Sequence, residues 1–232
     1  MILQGPLRSP ALVSRHGSQE DAIARTRPGK RLFDTCVAAA LLVVTSPLLL
    51  CAAVMVRVTT PGSILFRQTR LGLDRRPFTL YKFRTMYSGS GDDVHREYVR
   101  RLLTQEKAPT GGRPGLYKLD ADPRITRVGR LLRRTSIDEL PQLLNVIRGE
   151  MSLVGPRPAL VWEGELMSTT HSRRFLVLPG LTGLWQVSGR SSLTMRQGLD
   201  LDVEYVRRQS FGLDLLILLK TVPAVLSMRG AL

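Results

Sequence analysis

Two adjacent carboxylates, Asp138 and Glu139, stand where a basic segment meets an apolar one. Arg133 and Arg134 come just before them, and Gly155-Pro-Arg-Pro158 follows after roughly one short helix. Arginines on one side and a proline-bracketed Arg157 on the other outline an anion pocket with carboxylates inside it. Carboxylates and a phosphate share a site most readily through a divalent cation with oxygen ligands, and Mg²⁺ held by Asp138 and Glu139 is the expectation. A carboxylate can also attack phosphorus itself and form an acyl phosphate. The competing reading is structural. Ser136-Ile-Asp-Glu139 fits a capping box, and a helix N-terminus favours negative charge whatever the chemistry.

Further candidates for phosphate contact lie elsewhere in the chain. In Pro77–Met86, apolar and polar residues roughly alternate, so a strand there places Lys82 and Arg84 on one face. They are read either as phosphate ligands or as solvated charges guarding a sheet edge. Prolines on both sides of Arg157 restrict the backbone and help aim its side chain. Leu178–Arg190 carries Gly180, Gly183 and Gly189 and ends in Arg190; glycines of this kind allow close backbone approach, which by itself is weak evidence for a nucleotide.

The elements that must hold these groups follow from periodicity and punctuation. Pro141 is tolerated in the first turn of a helix, so a helix is predicted from near Asp138, with Leu140, Leu143, Leu144 and Ile147 as its apolar face. A short basic helix over 128–133 delivers Arg133 and Arg134. Residues 63–68 and 77–86 read as a hairpin around the Gly72-Leu-Asp74 turn. Residues 88–122 read as a polar, Gly-rich loop with a short charged helix. Glu163 and Glu165 are expected on a helix as solvated groups, and Trp185 as a core or interfacial residue. A charged helix is expected over 199–209. A largely apolar one over 211–228, interrupted by Asp214, Lys220 and Pro223, is expected to lie in a membrane interface or on the core.

Thr35–Val56 contains no charged residue, close to the roughly 20 needed to cross a bilayer as a helix. Ser46-Pro47 interrupts it, and proline removes a helical hydrogen bond that Ser46 is placed to replace. Lys30 and Arg31 precede the run and Arg57 follows it, so both ends favour the positively flanked cytoplasmic side. A bent helix that enters one leaflet and returns satisfies both facts; a kinked spanning helix is the alternative. Asp34, at the mouth, needs an arginine or interfacial water. Cys36 and Cys51 read as small packing residues.

The 232 residues suit one catalytic domain with appendages. The 34 basic residues outnumber the 19 acidic ones, and the formal charge of +15 implies an anionic partner. Aromatic content of 6% and the lack of any zinc spacing or nucleic-acid module argue against nucleic acid. The first 28 residues mix Arg, Ser, Gly, Pro and Gln without apolar periodicity and read as a flexible tail.

Thr135-Ser-Ile-Asp-Glu-Leu-Pro-Gln-Leu-Leu-Asn-Val-Ile-Arg-Gly-Glu-Met-Ser-Leu-Val-Gly-Pro-Arg-Pro158 resembles the core of the bacterial sugar transferases, the monotopic polyprenyl-phosphate phosphoglycosyl transferases. The resemblance extends from about Lys30 to the C-terminus. It takes in Tyr81-Lys-Phe-Arg-Thr-Met86 and Leu178–Arg190 as well. It implies that Asp138 takes the phosphosugar from a UDP-sugar as a covalent intermediate with Mg²⁺ present, and that polyprenyl phosphate then attacks it. Glu139 is implied to hold Mg²⁺ or to transfer a proton, and Arg190 to contact the nucleotide diphosphate. The family's re-entrant helix broken at Ser-Pro matches Ser46 and Pro47.

The fold expected is therefore α+β: a mostly helical, membrane-associated catalytic domain with a small sheet and an N-terminal re-entrant helix. A tail over 1–28, a membrane helix over 29–58 and a catalytic domain over 59–232 on the cytoplasmic face of the bacterial inner membrane complete it. The chain resembles the short, catalytic-domain-only form of the family. A basic, membrane-anchored binding protein without chemistry is the rival from another class. Neither the sugar nor homo-oligomer formation is specified by these residues.

Overall fold

A computed structural model of the chain describes residues 28–87, 100, 124–189 and 193–226. The first element is a long helix, α1 (Pro28–Thr59), with Pro47 inside it. It is the one described helix long and apolar enough to cross a membrane, and 11% of its most apolar window is buried. Its two limbs touch different parts of the same body. Ala38 joins a cluster with Leu143, Val146 and Val154. Ala52 and Val56 join another with Phe83 and Leu132. Between them no residue from 39 to 51 is buried, and Val43 and Val44 are 72% and 76% exposed. Cys36 and Cys51 are free and exposed here, not packed as expected. They lie on helix surface that the other described residues leave open.

Strands β1 (Leu65–Leu71) and β2 (Pro77–Phe83) form the expected hairpin, antiparallel, with Phe66 opposite Lys82 and Arg70 opposite Phe78. The turn between them places Asp74 and Arg75 at positive φ. Helix α2 (Arg127–Arg134) is capped by Thr126, whose Oγ1 accepts from Gly129 N at 2.8 Å. A 3₁₀ helix over Ile137–Gln142 then leads into α3 (Leu143–Arg148). The single α-helix predicted from Asp138 is thus split in two. Pro141 and the tighter first turn account for the change of winding.

Strand β3 (Ser152–Val154) precedes the Gly155–Pro158 corner, and β4 (Ala159–Leu160) pairs with β1 on the far side from β2. Helix α4 (Val161–Leu166) follows, then a 3₁₀ helix over His171–Leu176. Strand β5 (Gly180–Thr182) lies parallel to β3. Three helices close the fold: α5 (Leu184–Val187), α6 (Met195–Arg208) and α7 (Phe211–Leu226). Trp185 is buried, with Gly198 of α6 packed so closely that a Cβ there would meet the indole at 2.2 Å.

Three expectations change in this setting. Glu163 is not solvated: it is buried and accepts from Leu160 N at 2.8 Å, closing the first turn of α4, while Glu165 stays exposed. Asp214 does not merely interrupt α7. Its carboxylate is buried and takes Lys30 Nζ at 2.7 Å and Tyr205 OH at 2.7 Å. Among the described residues Asp34 meets a serine and a lysine instead of an arginine: it accepts from Ser152 Oγ at 2.6 Å and lies 3.4 Å from Lys30 Nζ. These bonds tie the first two turns of α1 to β3, α6 and α7, so α1 is held by the rest of the body at its start. The tail before Pro28, the loop over 88–122 except Arg100, and Arg190 lie outside the described residues.

Candidate active site

The dyad is built by a strained turn. Ser136 adopts a left-handed backbone (φ 57°) just before the 3₁₀ helix, and its hydroxyl caps nothing. The capping box that competed with the chemical reading is therefore not formed. Asp138 is 6% exposed and Glu139 half-buried, both in the first turn. A carboxylate as buried as Asp138 needs hydrogen-bond donors or cations nearby.

Strand β2 carries one such cation, Lys82. It is an edge strand, and fully buried Asn145 of α3 covers that edge as a neighbouring strand would. Asn145 Nδ2 donates to Thr79 O at 2.7 Å and its Oδ1 accepts from Tyr81 N at 3.2 Å. This fixes the dyad segment against Lys82. Arg31 of α1 adds a second restraint, donating from Nη2 to Ile147 O at 2.8 Å and from Nη1 to Val146 O at the C-terminus of α3, where cations are favoured.

Lys82 lies half-buried with its ammonium 5.2 Å from the Phe66 ring. Burial lowers its pKa to about 8 from the ordinary 10.5, and Arg70 and Arg133 push it the same way, while Asp138 and Glu139 push back. The same balance shows which charges share the site: Asp138, Glu139, Lys82, Arg133 and Arg70. Lys82, Arg133 and Arg70 thus share one electrostatic neighbourhood with Asp138 and Glu139, a setting suited to an anion. Arg133 is held by its Nε donating to Thr85 Oγ1 at 2.9 Å. Gly129 permits that approach, because a Cβ there would meet Thr85 O at 2.1 Å.

Of the residues proposed from sequence, Asp138, Glu139, Lys82 and Arg133 come together. Arg84 goes elsewhere. Its terminal nitrogens donate to Thr60 O and Thr60 Oγ1 at 2.8 Å and to Pro61 O at 2.7 Å, clasping the exit of α1. Arg157 sits on the corner beyond β3, in the field of a buried carboxylate, Asp202. Arg70 was missed by the sequence reading, which ended β1 at Gln68. Its Nη1 donates to Pro158 O at 3.0 Å and its Nε and Nη2 grip Gln68 Oε1, joining the corner to the Lys82 face. Its signal was the period of two along Gln68 and Arg70, which places both on the face of Lys82.

Among the described residues no group of three or more acidic, His or Cys side chains gathers into a metal cage. Two adjacent carboxylates suit Mg²⁺ all the same, because that ion is commonly bound by one or two carboxylates, water and the phosphates of a substrate. Asp138 and Glu139 would hold it.

The whole described body is similar to known proteins. The family model for bacterial sugar transferase matches residues 25–228. The chain is 42% identical over 202 residues to the exopolysaccharide production protein ExoY of Rhizobium meliloti, covering 87% of each chain. It is 43% identical over 211 residues to the UDP-glucose:undecaprenyl-phosphate glucose-1-phosphate transferase of Caulobacter vibrioides, covering 87% of this chain and 71% of that one. Similarity to the undecaprenyl-phosphate galactose phosphotransferase of Salmonella typhimurium is 38% over 203 residues, covering 41% of that longer chain.

Proposed function

From the fact that the chain belongs to the bacterial sugar transferase family, we propose that it moves a sugar-1-phosphate from a UDP-sugar to polyprenyl phosphate, releasing UMP. The observation that carries this is buried Asp138 beside Glu139, both acting on Lys82 together with Arg70 and Arg133. Relatives named for glucose and galactose transfer to undecaprenyl phosphate support the reaction class.

In the first half-reaction an Asp138 carboxylate oxygen attacks the sugar-bearing phosphorus of the donor. The new acyl–phosphate bond forms as the bond from that phosphorus to the bridging oxygen breaks, and UMP leaves with that oxygen. In the second, a phosphate oxygen of the lipid attacks the same phosphorus. Polyprenyl diphosphosugar forms and the Asp138 carboxylate is regenerated. Lys82, Arg70 and Arg133 hold the phosphoryl oxygens and neutralise charge as it shifts among them. Mg²⁺ bound with the donor would supply further neutralisation of the diphosphate. Glu139 would help to hold Mg²⁺ beside Asp138 or act in proton transfer.

One substrate is soluble and the other embedded in lipid, so the site belongs at a membrane surface. The two packed limbs of α1, with the exposed apolar stretch between them, support a helix that dips into one leaflet and returns. Lys30, Arg31 and Arg57 favour the cytoplasmic face for both ends. The exposed face of α7, with Leu216, Leu219 and Val222, extends that contact along the interface.

The test is UMP release in detergent from a panel of UDP-glucose, UDP-galactose and N-acetylated UDP-hexoses, with polyprenyl phosphate and Mg²⁺. UMP from one donor, abolished by EDTA and by Asp138→Asn, is the expected result. Folded protein that binds the lipid but releases no UMP from any donor would overturn the reading in favour of an anchored binding protein.

A further inference from the structure

The corner Gly155–Pro158 is held by its carbonyls, since two of its four residues lack an N–H. Pro156 O accepts from Gly180 N at 2.8 Å, Arg157 O accepts from Arg174 Nη2, and Pro158 O accepts from Arg70 Nη1 at 3.0 Å. Gly155 N donates to Thr182 O at 2.9 Å. Three consecutive carbonyls are thus tied to three different parts of the chain. Gly180 allows this, because a Cβ there would meet Gly155 N at 2.0 Å.

Arg174 is the member of this set that is itself placed at a cost. Its side chain is 3% exposed and lies 2.7 Å from Asp202 Oδ2, whose side chain is 1% exposed. Neither oxygen of Asp202 has an aligned hydrogen bond among the described residues. A buried ion pair so poorly bonded contributes little to stability, and apolar side chains of similar volume would serve the fold as well or better. The charges facing Asp202 are Arg174, Arg157 and His171, and burial opposes all three by pushing its carboxyl up to about 6. Of these, Arg157 carries its charge on the corner that Arg174 holds.

We propose that Arg174 and Asp202 are positioning residues that aim Arg157 at the donor diphosphate. Arg174 fixes the backbone from which Arg157 projects. Asp202 fixes Arg174 through the buried ion pair, and its charge also reaches the Arg157 guanidinium. The inference rests on the reading of Arg157 as a diphosphate contact, and the experiment separates the two.

UDP-sugar affinity (by titration calorimetry with Mg²⁺) and the kcat of UMP release are measured for four proteins. They are the natural chain, Arg157→Ala, the double variant Arg174→Leu/Asp202→Leu, and all three substitutions together. The leucine pair keeps the core apolar and filled, and its melting temperature shows that it folds. Expected is a loss of donor affinity of about tenfold in Arg157→Ala and a similar loss in the leucine pair. The triple variant should be no worse than Arg157→Ala alone, because the pair acts through Arg157. Donor affinity unchanged in a folded leucine pair, with Arg157→Ala still weakened, overturns the positioning role and leaves the Arg157 reading standing. Losses that multiply in the triple variant overturn it too. If Arg157→Ala binds the donor like the natural chain, both ideas fall.

Discussion

Ser46 Oγ donates to Val43 O at 2.7 Å. Val43 is four residues before Pro47, so its carbonyl is the one that proline, without an N–H, leaves unpaired in the helix. The serine fills that vacancy from within the same turn. In water such a bond would matter little, because solvent would serve the carbonyl. In hydrocarbon an unpaired carbonyl costs several kcal/mol.

Ser46→Ala should therefore lower thermal stability in lipid nanodiscs by about 1–3 kcal/mol, while Ser46→Thr, which keeps the hydroxyl, should retain most of it. Pro47→Ala restores the missing N–H and removes the reason for a bend. Protease accessibility of tags at both ends, in sealed inverted vesicles, reads the result. Both tags should be exposed on one side in the natural chain, with part of the Pro47→Ala population showing one protected. A natural chain with tags on opposite sides would establish a spanning helix instead.

Lys82 should titrate near pH 8 in metal-free protein, as followed by NMR of isotope-labelled methylated lysine. The folded value lies below the unfolded 10.5, so between about 8 and 10.5 the unfolded chain binds the extra proton and folding stability rises with pH. Asp138→Asn removes the carboxylate that most supports the ammonium, so Lys82 should then titrate lower still. A rise on that substitution would mean that the two groups do not share a field.

Arg70→Met removes a cation that depresses Lys82 and a tie to Pro158 O. The Lys82 pKa should move up, and kcat/KM for the donor should fall about a hundredfold, the scale of losing one preorganised donor at a phosphoryl group. An unchanged kcat/KM would limit Arg70 to holding the strand.

Arg84→Ala separates two roles for one arginine. With three donated bonds at the exit of α1, its loss should cost about 2–4 kcal/mol of stability, while donor affinity in the folded protein stays within about twofold. Strongly weakened donor binding with unchanged stability would restore the phosphate contact expected from its place beside Lys82.

Much of this protein was legible in the order of its residues. The uncharged run with one Ser-Pro, the hairpin, the acidic pair and the Pro-Arg-Pro corner all follow from local rules. Side-chain period, proline's fixed φ and missing N–H, and glycine's freedom act between neighbours and need no knowledge of the rest of the chain. The tasks of the charged residues did not follow that way. Arg84 and Lys82 share an alternating strand, yet one clasps Thr60 and Pro61 and the other faces Asp138. Asp202 looks like a surface residue of a polar helix and Asp214 like an interruption of an apolar one, yet both are buried. Only the packing of distant elements decided this: α1 against α3, and the 3₁₀ helix over His171–Leu176 against α6. A charge goes inside wherever a partner from far along the chain arrives to meet it, and no short stretch of sequence carries that partner's address.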